Sequence, residues 1–196
     1  MWKQKLLEIT KNFKHPAWGI SHFKRIYGLT LELANAQQVN IDEEAIFAAA
    51  YLHDIGAFEP YRQEGKDHSD VAIQNCDQIL NSIEFPSKKI PLVKEIIKSH
   101  MFNAKVGESI ESKIFHDADT LDFLGIIGIT RLLSIVGKED WTPNLKSSIN
   151  LIEKFCKELP QNLFTDPAKE IGIIRQKEMI EYLDTLGKET NNLDLI

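Results

Sequence analysis

The sequence has few of the features that mark secreted or membrane proteins. Its only two cysteines, Cys76 and Cys156, lie far apart in a chain of 196 residues. That spacing disfavours a disulfide framework and is typical of a reducing compartment. No uninterrupted apolar run is long enough to span a bilayer, and the first residues lead into no apolar signal segment. We therefore expect a cytoplasmic protein with no membrane partner.

Positive charge is also scarce. The chain has 23 Lys and Arg against 29 Asp and Glu, which gives a net charge of −6, and no block of basic residues. This balance disfavours a large surface for duplex nucleic acid. A small phosphorylated substrate stays compatible with it, because a bound metal ion can supply positive charge locally.

Glycine and proline are sparse and fall between segments of helical periodicity, and no run alternates with a period of two. The pattern predicts an all-α fold of about eight helices in one domain over residues 1–196. The motifs described below fall at about 18–135. Two amphipathic helices near 144–158 and 166–187 are predicted to pack on the outside, and the tail Glu189–Ile196 is predicted to fray.

The pair His53-Asp54 ends a helix that is otherwise small and apolar, AIFAAAYL. Burying an ionised carboxylate without a partner costs several kcal/mol or more. A divalent cation is the partner that a histidine beside an aspartate suggests. We therefore predict a metal site centred on this pair.

Three further histidines lie near the ends of apolar stripes on other predicted helices. These are His22 in the helix at about 18–37, His68 at about 67–83 and His100 at about 87–100. A single inward histidine is more often a satisfied core residue than a ligand. Together with His53, however, these residues place imidazoles on four helices, which is how metal sites in helical bundles are built.

A carboxylate from a distant segment is still needed, and the run HDADTLD offers Asp117, Asp119 and Asp122. The run is predicted to begin a helix that extends to about residue 136. Helix capping and the helix dipole account for Asp117 and Asp122, which leaves Asp119 as the leading candidate. Gly125 and Gly128, farther along this helix, predict the close approach of another helix.

These residues, taken in order, resemble the H…HD…D signature of the HD-domain superfamily. His22, His53, Asp54 and Asp119 match its positions, and the flanking segments AAAYLHDIG, IKSH and DADTLDFLGIIGITR are similar to the YedJ-like branch of HD hydrolases. The resemblance covers about residues 18–135 and implies an all-α HD-domain bundle with one or two divalent metals in its core.

The resemblance also implies which residues bind metal. His22, His53, Asp54 and Asp119 match the ligands of the first ion. In two-metal members two later histidines bind a second ion and the aspartate of the dyad bridges, and His68 and His100 fall in that order here. Imidazole and carboxylate ligands suit Mn, Fe, Co, Ni or Zn, and Mg is also compatible with the resemblance.

The implied activity is that of a phosphohydrolase, in which a metal-bound hydroxide attacks a small phosphorylated metabolite or nucleotide. Two alternatives stay open. Some HD-fold members use a similar six-ligand set with two irons to activate O₂. A non-catalytic module that binds or senses a ligand is the other.

Besides Asp54, three cations are candidates for contact with a substrate phosphate: Arg25, Lys66 and Arg131. A solvated or ion-paired surface charge is the alternative for each of them. Asp122 or Glu59 could orient a histidine ligand or a water molecule, and the sequence does not distinguish between these two.

The remaining aromatic residues and histidines are assigned to structure. His15 and His116 are predicted to be structural or surface residues. Trp18 precedes His22 by one helical turn and is placed to line a pocket. The tryptophans are otherwise predicted to pack against the core: Trp2, Trp18 and Trp141.

Overall fold

A computed structural model of the chain describes residues 1–194, which contain nine α-helices and no strand. The all-α prediction is confirmed. The helices are α1 (Trp2–Thr10), α2 (Ile20–Ala36), α3 (Glu43–Leu52), α4 (His68–Ser82), α5 (Ile90–Ser99), α6 (Ile110–Asp122), α7 (Gly125–Ser134), α8 (Leu145–Glu158) and α9 (Asp166–Glu189). No helix in this range combines the length and apolar character needed to cross a membrane.

Helix α3 lies at the centre, between α2 and α5, while α6 packs against both of these neighbours. Every residue of α3 from Ala45 to Leu52 is buried. Its alanines suit this position because small side chains let neighbouring helices approach closely. The Asp42 side chain caps the helix by accepting hydrogen bonds from the backbone N–H groups of Glu44 and Ala45. The helix therefore ends inside the core, where His53 and Asp54 follow.

The chain returns toward Asp54 at the start of α4. A 3₁₀ turn at Ile55–Ala57 follows the dyad, and a loop leads to Asp67, which caps α4 through the backbone N–H groups of Ser69 and Asp70. A Cβ atom on Gly56 would lie 2.2 Å from the carbonyl oxygen of His68. This close approach places the first residue of α4 beside the dyad.

The predicted helix at about 113–136 is wrong, because α6 and α7 are separate helices. The break requires Gly125, whose φ of +71° favours glycine. A Cβ on Gly128 would lie 2.1 Å from the carbonyl oxygen of Phe123 in the preceding turn. The predicted close approach of another helix holds at Gly125, where a Cβ would meet side chains of α9, but at Gly128 the close neighbour is local backbone.

The acidic run consequently falls in the last turns of α6, not at the start of a helix. Asp117 does not cap its own helix. It is buried and accepts hydrogen bonds from the backbone N–H groups of Phe164 and Thr165 and from the Thr165 hydroxyl. It therefore secures the segment that leads into α9. Residues 195 and 196 of the predicted frayed tail lie outside the described residues.

Candidate metal centre

Four histidines and two aspartates from five segments of the chain meet in the core. His22 from α2 lies with its Nε2 atom 3.1 Å from His53 Nε2 and 3.3 Å from Asp119 Oδ1. Oδ2 of Asp54 lies 3.3 Å from His53 Nε2 and 3.6 Å from His22 Nε2. The donor atoms of His22, His53 and Asp119 are close enough together to hold one metal ion.

The second oxygen of Asp54 faces the other two histidines. Oδ1 lies 3.2 Å from Nε2 of His68, the first residue of α4, and 3.6 Å from Nε2 of His100, which follows α5. Donor atoms of His53, Asp54 and His100 form a second group that could hold a metal ion. Asp54 thus lies between two sets of imidazole nitrogens, with one carboxylate oxygen toward each set.

Three of the histidines have their Nδ1 atoms occupied by acceptors. His22 Nδ1 donates to Asp122 Oδ2 at 2.7 Å. His53 Nδ1 donates to the carbonyl of Ala50 at 3.0 Å, and His100 Nδ1 donates to the carbonyl of Ile97 at 2.6 Å. A carbonyl oxygen only accepts, so the Nδ1 atoms of His53 and His100 carry protons. Their Nε2 lone pairs then point into the cluster, as in metal-ligating histidines.

The donor set fits a divalent cation. The Nε2 atoms of His22 and His53 are only 3.1 Å apart, and two lone pairs at that distance repel each other unless a cation or a proton lies between them. The buried Nε2 of His100 has no hydrogen-bond partner within residues 1–194, and such a group usually has a ligand. A metal ion that accepts these lone pairs would remove the repulsion between His22 and His53 and give His100 Nε2 a partner.

A proton competes with the metal at His22. Burial by itself lowers the pKa of His22, but the carboxylates of Asp119 and Asp122 outweigh burial and raise it. Burial likewise opposes ionisation of Asp54, yet the surrounding imidazoles of His53, His100 and His68 hold the pKa of Asp54 well below its usual range. Asp54 is therefore a carboxylate at neutral pH, the form that binds cations.

Asp122 is the residue that orients a ligand. Its carboxylate accepts the Nδ1 proton of His22 and also binds Arg25, through Nε at 2.8 Å and Nη2 at 2.9 Å, and Arg131, through Nη1 at 2.8 Å. Despite burial, these partners hold the pKa of Asp122 far below its usual range. Glu59, the alternative named from the sequence, is exposed on the loop after the dyad.

A cavity of about 430 Å³ opens over the cluster. Five of the six candidate ligands line it, and the exception is the fully buried His53. Arg131 also lines the cavity, almost completely buried, with its Nε donating to the carbonyl of Ala17. Of the other predicted cations, Arg25 turns to Asp122 and Lys66 is exposed on the loop before α4, so the described chain places neither in the cavity wall.

Apart from Lys154, the rest of the wall is apolar and aromatic. Trp18 lines it as predicted, and Trp141, predicted only to pack, lines it too. Helix α8, predicted to lie outside, packs on α7 and contributes several wall residues. The sequence pattern gave no signal for these residues, which come from segments far from the dyad: Met101, Phe102, Phe123, Leu151, Lys154 and Phe155.

The two histidines assigned to structure stay outside the cluster. His116 is buried, and its ring is nearly perpendicular to that of Phe164, with centroids 5.2 Å apart. His15 stacks on Trp18, with centroids 3.8 Å apart.

The HD domain family model matches residues 19–124, more than half of the chain, and the chain therefore belongs to the HD domain family. The superfamily prediction is confirmed, while the YedJ-like branch stays a prediction. None of the curated proteins compared with the chain matches it.

Solved structures share the fold over nearly the whole chain. Bacillus subtilis YpgQ in complex with ADP is 20% identical, with a TM-score of 0.74 over 99% of this chain and 100% of that one. A Listeria innocua protein is 26% identical, with a TM-score of 0.68 over 97% and 98%. An HD-superfamily hydrolase from Bacillus thuringiensis is 24% identical, with a TM-score of 0.69 over 96% of each chain.

Proposed function

We propose that the protein is a metal-dependent phosphohydrolase that cleaves a small phosphorylated metabolite or nucleotide. The observation that carries this proposal is the position of Asp54. One of its oxygens faces His22 and His53, and the other faces His68 and His100. A carboxylate in this position can bridge two divalent cations, the arrangement found in many phosphatases and nucleases.

The ligands divide between two positions. His22, His53, Asp54 and Asp119 would hold one ion, and Asp54, His68 and His100 would hold the other. When bound, such ions lower the pKa of a coordinated water and offset charge on phosphoryl oxygens. Asp122 fixes the tautomer and ring orientation of His22, which keeps its Nε2 directed at the cluster.

Two cations in the cavity wall favour an anionic substrate. Arg131 is held beside the cluster by Asp122 and the carbonyl of Ala17, and Lys154 lies on α8 with its side chain 59% exposed. Arg131 would contact a substrate phosphate next to the ions, because its position is fixed before the substrate arrives. The ADP bound by YpgQ supports a nucleotide as one substrate to test.

The experiment is an activity screen with a matched pair of variants. Protein loaded separately with Mn, Co, Ni or Mg is assayed for phosphate or pyrophosphate release from phosphomonoesters, nucleotides and inorganic pyrophosphate. We expect metal-dependent turnover in the wild type. Asp54→Ala should lose both bound metal and turnover, whereas Asp70→Ala, which alters an exposed aspartate on α4, should keep both.

Other outcomes identify the rivals. Absence of phosphoester hydrolysis with every metal would refute the proposal. If the wild-type protein hydrolyses no phosphoester but purifies with iron and consumes O₂, the six ligands serve a di-iron oxygenase. If ligand binding and the biological response survive Asp54→Ala, the fold serves a non-catalytic module.

A further inference from the structure

Two tryptophans form part of the cavity wall that also carries the candidate metal ligands. Trp18 lies just before α2, and Trp141 lies in the loop between α7 and α8. Their rings are nearly parallel, with an interplanar angle of 22° and centroids 6.0 Å apart. Trp141 is 48% exposed. A large indole left half open beside a cavity presents a flat apolar surface that a ligand can cover.

The two loops that carry these tryptophans are joined by a histidine and a glutamate. His15 Nδ1 accepts hydrogen bonds from the backbone N–H groups of Ala17 and Trp18. The proton of the neutral ring is therefore on Nε2, which lies 3.4 Å from Oε1 of Glu139 and can donate to it. Because Glu139 is two residues before Trp141, this contact ties the Trp141 loop to the Trp18 loop.

The Trp141 loop is also closed on itself. The N–H of Gly137 donates to the carbonyl of Thr142, and the N–H of Thr142 donates to the carbonyl of Glu139. The buried Thr142 hydroxyl donates to the carbonyl of Ile135 at the end of α7. These bonds hold Trp141 in place although its indole is exposed, so the aromatic surface is formed before a ligand binds.

Most side chains of the remaining wall offer no hydrogen-bond partner to a sugar. Apart from the metal cluster, Arg131 and Lys154, the lining consists of aromatic and aliphatic side chains. The hydroxyl groups of a sugar placed against such a wall would lose their hydrogen bonds to water without replacement. A planar heterocyclic base has two apolar faces and loses much less. Aromatic side chains bind bases by stacking on these faces.

We infer that the base of a nucleotide stacks on the exposed indole of Trp141, which is backed by Trp18, while the phosphates reach the metal ligands, and that His15 and Glu139 position this aromatic pair. The inference rests on the proposed phosphohydrolase function and specifies its substrate as a base-bearing phosphate. Trp141 is then a specificity-determining residue, and Trp18 is a positioning residue behind it.

The test uses two ligands that share a non-hydrolysable methylenediphosphonate group, of which only one also carries adenosine. Dissociation constants are measured by calorimetry on the metal-loaded protein for α,β-methylene ADP and for methylenediphosphonate. Trp141→Ala should weaken binding of the nucleotide analogue about tenfold, the loss expected for one stacked base, and leave methylenediphosphonate unchanged. Trp141→Phe should restore most of the affinity. Trp2→Phe is the matched control, because Trp2 packs on Phe47 and Phe85 away from the cavity lining.

The positioning role of Glu139 has its own readout. Glu139→Gln should raise KM for the nucleotide substrate while kcat and the thermal midpoint stay at wild-type values. A change in the thermal midpoint with no change in KM would mean that the His15–Glu139 contact serves stability alone and would overturn this part of the inference.

The binding measurement separates this inference from the proposed function. Adenosine-dependent binding that Trp141→Ala weakens, in a protein that hydrolyses no phosphoester, would support the aromatic site and refute the hydrolase. The inference is overturned if the wild type binds the nucleotide analogue no more tightly than methylenediphosphonate. It is also overturned if Trp141→Ala weakens both ligands equally or neither.

Discussion

His22 is oriented by a carboxylate that lies outside the set of candidate metal ligands. Asp122 receives the Nδ1 proton of His22 at 2.7 Å and is itself neutralised by Arg25 and Arg131. The two arginines allow a buried carboxylate to stay ionised, and the carboxylate fixes the tautomer of the ligand. A cation that the sequence suggested for substrate, Arg25, therefore acts on the metal site through Asp122.

We predict that Asp122→Asn lowers metal affinity by about 10- to 100-fold, the usual effect of weakening a partner of a histidine ligand. The amide keeps the size of the side chain but loses the charge that favours the Nδ1–H tautomer. Competition with a fluorescent chelator measures the affinity. The control is Asp184→Asn, on the exposed side of α9. Equal affinities in Asp122→Asn and wild type would show that His22 needs no such partner.

The titration of His68 predicts how fold stability and metal affinity depend on pH. In the metal-free chain burial lowers the pKa of His68, but the Asp54 carboxylate outweighs burial and raises this pKa from its ordinary 6.5 to about 9. A raised pKa means that the protonated pair stabilises the metal-free fold fully below about pH 6.5 and that this contribution is lost as pH rises through about 9. A metal ion must displace the same proton.

Affinity for the ion at His68 and His100 should consequently rise between about pH 6.5 and 9 and level off above this range. Metal titrations across this range test the trend, and an NMR titration of the metal-free protein gives the pKa of His68 directly. An NMR midpoint at or below 6.5 would contradict the Asp54–His68 pair.

At the scale of elements, the metal centre depends on where helices begin and end. His53 and Asp54 follow the end of α3, His68 begins α4 and His100 follows α5. The close contact between Gly56 and the His68 backbone sets the distance between two of these ends. A change at one glycine can therefore move a ligand without touching it.

We predict that Gly56→Ala destabilises the fold by about 2 kcal/mol, because the new methyl group overlaps the His68 backbone. It should weaken the site at His68 more than the site at His22. Gly28→Ala is the matched control, since a Cβ there meets nothing within 4 Å, and it should stabilise α2 by about 0.5–1 kcal/mol. Thermal unfolding and metal titration of both variants provide the comparison. If Gly56→Ala binds metal as tightly as Gly28→Ala does, this role of Gly56 is contradicted.

The sequence predicts the helices that carry ligands because apolar periodicity shows which face of each helix turns inward, as for His22 and His100. It does not predict the break before Gly125, which depends on a backbone angle and on packing against α9. The aromatic wall is also beyond pattern analysis. Trp141 and Phe155 meet the cavity only because α7 packs against α6 and α8 packs against α7, and no local spacing encodes that arrangement.

At the scale of the whole molecule, the candidate ligands tie together segments from residue 22 to residue 119. The chain carries a net charge of −6. Two of its negative charges, the carboxylates of Asp54 and Asp119, are buried together with the histidines of the cluster. Bound cations would neutralise these two carboxylates and connect α2, α4 and α6 to the end of α3. Metal binding should therefore stabilise the fold as well as permit chemistry.

The central claim is that Asp54 lies between two cation sites, and the most direct measurement is the metal-to-chain ratio. Wild type and Asp54→Ala are loaded with Mn²⁺, desalted and analysed by plasma mass spectrometry together with Asp70→Ala. The account predicts about two ions per chain in the wild type and in Asp70→Ala, and a loss of both in Asp54→Ala. A wild-type protein that retains one ion or none, or an Asp54→Ala variant that retains as much as the wild type, would contradict it.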